Sequence, residues 1–176
     1  MPMTTRRRLA DTPIVPKIFF CLHCLRTSIK NFDVTNAENF APGCVFDAVA
    51  SVACKQYSSR NQICHQTSVG MLGNALEFSQ ILNWSQEFFV DHTAPDQNLD
   101  WDLTLRVQVG HLTLALATGF EAAELAHRRE HGLTGTSKSK VTPNLVPYRS
   151  FVAGRRSIAD DPTMLRLMPG DDGFLL

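Results

Sequence analysis

Cys21-Leu-His-Cys24 is the first place in the chain where residue type and spacing suggest chemistry. A Cys-x-x-Cys pair offers two soft, anionic donors and can supply half of a tetrahedral zinc site. Cys44, Cys54 and Cys64 follow at intervals of ten residues and can complete it. The metal candidates on this ground are Cys21, Cys24, Cys54 and Cys64. Against zinc, the later cysteines form no second Cys-x-x-Cys, and no paired-histidine spacing accompanies them. Cys21 and Cys24 also fall inside an amphipathic pattern, where cysteines three apart serve as small core residues. Structural thiols are therefore the preferred reading, with metal binding and redox chemistry as alternatives, and no cofactor is expected.

Cys64-His65 resembles a nucleophile beside its base, but neighbours on a helix diverge by about 100° and do not face each other. His92 or His111 can be the distant partner, though nothing singles out either, so the plain reading is a core cysteine beside a surface histidine. His127 and His131 share a helix face. Arg128, however, occupies the position where a zincin carries its general-base glutamate, and cations ending a helix are explained by the macrodipole. The chain has no G-x-x-x-x-G-K, G-x-G-x-x-G or G-x-S-x-G. No catalytic residue is assigned, and a non-enzyme is favoured. Asp171-Asp172 reads as a solvated acidic pair.

Seventeen lysines and arginines balance seventeen aspartates and glutamates, so no global field draws nucleic acid or an anionic membrane. Local basic clusters remain at Arg6, Arg7 and Arg8, at Arg128, Arg129, Lys138 and Lys140, and at Arg149, Arg155 and Arg156. These read first as solubilising charges. The alternative is a sequence-independent contact with phosphates. An odd number of cysteines cannot all pair, and the apolar run Ile18–Leu25 is short and interrupted by His23. A secretory signal is therefore not expected, and the thiols are placed in a reducing compartment, cytoplasmic or nuclear. No run approaches the roughly 20 apolar residues that span a bilayer.

At 176 residues the chain fits one domain with a core. The expected layout is a flexible basic arm over 1–15, a helical domain over 16–132, and a linker with an extended C-terminal arm over 133–176. Apolar spacing predicts a helix over 17–32, a connection over 33–43, and a second helix from Cys44 through Val45, Val49, Val52 and Ala53 that fades at Tyr57-Ser58-Ser59. A third helix runs from Ser59 through Thr67, and Gly70 and Gly73 mark a bend or stop. A fourth, over 74–90, is expected to bury Leu76, Phe78, Ile81, Leu82, Phe88 and Phe89 with Trp84 at its side. Residues 91–99 read as a loop.

The stretch 100–132 carries two periods. Trp101, Leu103, Leu105, Val107 and Val109 alternate with polar residues as in a strand, which allows a β-hairpin over 101–116 turning at Gly110-His111. Trp101, Leu105, Val109, Leu112, Leu116 and Phe120 also fall at helical steps, with Asp100 placed as the N-cap. One long helix is preferred because leucine and alanine outnumber β-branched residues, with a kink or break expected at Gly110 or Gly119. Beyond Gly132 the prolines leave room only for short elements, including a brief helix over 162–168 capped by Asp161.

The fold class is thus mainly α, a bundle of four or five helices with extended N- and C-terminal arms. Apolar side chains along both arms and around the aromatic fourth helix exceed what a small bundle hides by itself, and the C-terminal arm is expected to pack back along the bundle or reach onto a neighbouring subunit. The expected function is a non-catalytic interaction or assembly protein whose partner is another polypeptide or a second copy, with a coat- or nucleocapsid-like layout as an analogy of architecture. The alternatives are a zinc-binding regulatory domain using the N-terminal cysteines, or a piece of a larger regulatory or biosynthetic protein. No membrane partner is expected.

Overall fold

A computed structural model of the chain describes residues 21–46, 54–55, 64–90, 101–133, 144–171 and 174. These form four α-helices and no strand: α1 Leu22–Asn31, α2 Leu72–Ser85, α3 Leu103–Glu130 and α4 Val146–Ile158. Short 3-10 turns cover Val34–Asn36, Val69–Met71 and Gln86–Phe89. No helix among the described residues is long and apolar enough to cross a membrane. The expected arm over 1–15, the loop over 91–99 and the linker around Lys138 and Lys140 lie outside the described residues.

α3 resolves the two competing periods as one continuous helix, so the hairpin over 101–116 does not form. Asp102 rather than Asp100 caps it, accepting from the Thr104 amide, and Gly132 ends it in the left-handed region at φ 60°. Neither Gly110 nor Gly119 breaks the helix. Both α1 and α2 pack against α3. The buried face of α3 carries Val109, Gly110, Thr113, Ala117, Phe120, Glu124 and His127. Leu112 and Leu116, expected in the seam, are 64% and 43% exposed. The seam is rotated because small residues admit neighbours more closely. Gly110 faces the Phe32 ring, and Ala117 is fully buried.

The main core joins Leu22 and Leu25 of α1, Phe40, Met71, Ala75, Phe78 and Leu82 around α2, Phe120 of α3 and Leu167. The Phe78 and Phe120 rings stack at 5.4 Å. In α2, which is continued by the turn Gln86–Phe89, Phe78 and Leu82 are buried as expected, whereas Ile81 and Trp84 face outward.

Two predicted helices are corrected at one end each, while Lys55, within the first of them, is helical. Cys44–Phe46 and Cys64–Ser68 are not helical, while the residues between them, apart from Cys54 and Lys55, lie outside the described set. Their polar groups join one segment to another: the Lys55 amide donates to the Val45 carbonyl at 2.7 Å, and the Leu22 amide donates to the His65 carbonyl at 2.9 Å. The C-terminal region departs from an extended arm. α4 starts with Pro147 in its first turn, where a missing N–H costs nothing, and packs Tyr148 and Val152 against Leu165 and Val69. Residues 162–168 make a turn rather than a helix, although Asp161 caps it as expected, accepting from the Thr163 amide at 3.0 Å.

Candidate metal centre

All five cysteines of the chain meet in one buried cluster, delivered by four segments that are separate in sequence. Cys21 stands at the N-cap of α1, where the positive end of the helix dipole favours thiolate, and Cys24 follows in its first turn. Cys44 follows Gly43, whose φ of 59° lies in the left-handed region and turns the chain inward after Pro42. Cys54 is held beside Cys64, and the Lys55–Val45 bond ties its segment to that of Cys44.

The thiols fall into two sets of three, Cys21 with Cys54 and Cys64, and Cys24 with Cys44 and Cys54. Within each set the sulfurs all lie within 4.8 Å of one another. Cys24 Sγ and Cys54 Sγ are 3.4 Å apart. Two backbone amides aim at sulfur: Cys21 N–H donates to Cys44 Sγ at 3.3 Å and Cys54 N–H to Cys64 Sγ at 2.9 Å. Such donors stabilise a thiolate far more than a thiol.

Protons are unevenly held across the cluster. The hydrogen bond with Cys24 draws Cys21 down to about 4, and the same partner lowers Cys44. Cys24, bonded to Cys21 and Cys44, is pushed up, and burial pushes Cys64 up to about 12. The His23 and His65 rings lie 4.6 Å apart, and burial lowers both. A concavity lined by Thr27, Ser28, Pro42, Gly43, Val45 and Lys55 reaches Cys24 and gives a route from solvent.

The structure therefore brings together the four metal candidates of the sequence and adds Cys44. The signal for Cys44 was Pro42-Gly43, a turn that can aim the next residue at a distant one. The other candidates do not converge. His111 is exposed on α3, Cys64 belongs to the thiol cluster, and His92 lies outside the described residues.

His127 and His131 do not pair around a metal. His127 is fully buried, with its Nε2 3.1 Å from the Tyr148 hydroxyl, which accepts from the Gly70 amide at 2.9 Å. Glu124, also fully buried, accepts at one oxygen from the Ser68 amide and hydroxyl and from Arg128 Nε. This network fastens the turn before α2 and the start of α4 onto α3.

Arginines from the predicted basic clusters are engaged internally. Arg128 also reaches the Gln66 carbonyl, Arg129 the Leu125 carbonyl, and Arg156 the Pro162 carbonyl. Arg155 holds Asp171 and the Arg166 carbonyl, so Asp171 is a structural partner rather than a free acid. Arg6, Arg7 and Arg8 lie outside the described residues, as do Lys138 and Lys140. Set against protein-family models, curated proteins and solved structures, the chain matches none of them.

Proposed function

We propose that this chain is a non-catalytic, zinc-held helical module that works by binding another polypeptide. The observation that carries the reading is the convergence of all five cysteines, from four separate segments, at one buried point. Cysteines serving only as core filler have no reason to seek one another. A shared metal gives them one, because thiolate sulfur is a strong zinc donor and amide N–H groups aimed at sulfur are the outer shell such a site needs. The described stretches 44–46 and 64–68 that deliver Cys44 and Cys64 are not helical, and a shared metal supplies a cross-link between them.

Metal analysis of the full chain purified under reducing conditions tests this. Zinc is expected to co-purify, and its removal by chelation is expected to lower the melting temperature and helical signal until zinc is returned. A metal-free protein with five titratable thiols, whose melting is indifferent to chelator, overturns the proposal.

The partner surface is the apolar face between α2 and α3, and a second copy of the chain is the occupant favoured. Ile81, Leu112 and Leu116 line this face together with Phe78, Phe120 and Phe174, and an outward apolar face that matches itself is what two-fold association uses. The basic clusters support nucleic acid less well, since most of their described arginines are bonded within the chain.

A further inference from the structure

We infer that the thiol cluster holds two zinc ions that share the Cys54 sulfur, an inference that rests on the zinc reading above and adds its stoichiometry and ligand sets. One ion takes Cys21, Cys54 and Cys64; the other takes Cys24, Cys44 and Cys54. Sulfurs around a single zinc stand about 3.8 Å apart for a Zn–S distance of about 2.3 Å. Among the described residues the sulfurs that close on one another form these two threes, not one four, and Cys54 is the member common to both. Cys54 is also the most enclosed of the five, with no exposure, as a bridging ligand at the centre must be.

Charge points the same way. Five thiolates buried together are untenable without cations. One divalent ion on four thiolates leaves two negative charges and a fifth sulfur without a role, whereas two divalent ions on five leave a single negative charge. The two amide donors are placed to meet that charge, and Lys55 lines the concavity that reaches Cys24. Copper(I) accepts three-thiolate shells readily, but two monovalent ions leave three negative charges, so the divalent ion is favoured. Each zinc needs a fourth donor from outside the thiols. Among the described residues no histidine nitrogen joins either set of sulfurs, so water is the fourth donor proposed, and the concavity reaching Cys24 admits it to the set that holds Cys24.

Native mass spectrometry of the full chain, after excess zinc is removed by gel filtration, reads the count directly. Two zinc ions per chain are expected, and cobalt(II) added to the metal-free protein should saturate its thiolate-to-metal absorbance at two equivalents. Cys44→Ser and Cys64→Ser should each retain one ion, and Cys54→Ser should retain neither. One zinc per wild-type chain overturns the shared-sulfur site and leaves the zinc module standing. No zinc overturns both, and the wild-type count decides even where a variant fails to fold.

Discussion

Glu124 and His127 lie on the inner face of α3 with no exposure, and each keeps one polar atom, Oε2 and Nδ1, without a protein partner. Burial raises the Glu124 carboxyl and lowers the His127 ring to about 4, with His131 and Arg128 adding to the second shift and Asp171 opposing it. The folded ring thus takes a proton only near pH 4, whereas an unfolded histidine takes one near 6.5. Between these values the unfolded chain binds more protons, so stability is full above pH 6.5 and falls as pH falls toward 4, by about 3 kcal/mol in all. Glu124 contributes with the opposite sign, and any acid release of metal affects every variant alike. The useful measurement is therefore the difference between wild type and His127→Gln in denaturant unfolding across this window. The variant is expected to lose the acid-side decline assigned to the ring, and identical pH slopes would refute the assignment. The Glu124–Arg128 spacing of i,i+4 is visible in the sequence alone. The pair's inward orientation is not, because alternating charge at a helix end reads the same whether it faces water or a buried serine.

At the scale of elements, α3 and the two chain segments against α2 set what glycine can be changed to. Nothing lies within 4 Å of a side chain added at Gly119, inside α3, so Gly119→Ala is expected to stabilise by about 1 kcal/mol. Gly73, in the first turn of α2, is the opposite case. A Cβ there meets the Met164 carbonyl at 2.5 Å, while its own amide donates to the Leu165 carbonyl at 2.7 Å. Gly73→Ala is expected to cost about 2 kcal/mol, within the range for overpacking, and to expose residues 164–167 to limited proteolysis. Equal denaturation midpoints for the two variants would contradict this packing. The sequence made both glycines look like weak points of a helix, because propensity sees only the backbone. It misjudged α4 for a related reason: Pro147 was read as a breaker when its position in the first turn makes it a starter. The cysteine cluster was half legible, through Cys-x-x-Cys. The rest depended on long-range closure between segments whose local patterns looked helical.

For the molecule as a whole, the apolar surface left over lies in more than one place. Tyr148, Val152, Leu165 and Leu167 of the C-terminal segment are buried against the chain itself, whereas Leu145, Val146, Ile158 and Met168 stay exposed. The larger apolar face is that between α2 and α3, with Leu112 at 64% and Leu116 at 43% exposure, and beside it an aromatic group in which Phe88 touches both Trp84 and Trp101 at about 5 Å between rings. Leucines in that position add nothing to the monomer's core, and pairing two such faces removes both from water at about 25 cal/mol per Å² of apolar area, less the cost of association. Light scattering should therefore give a molar mass that rises from monomer toward dimer with protein concentration and is insensitive to salt. Leu112→Glu with Leu116→Glu should hold the protein monomeric while leaving its helical signal and zinc content unchanged, since neither side chain touches the thiol cluster. A wild-type protein that stays monomeric at every concentration would remove self-association and leave the metal module to find a different partner. A mass that rises only at low salt would assign the contact to charge instead of to these leucines.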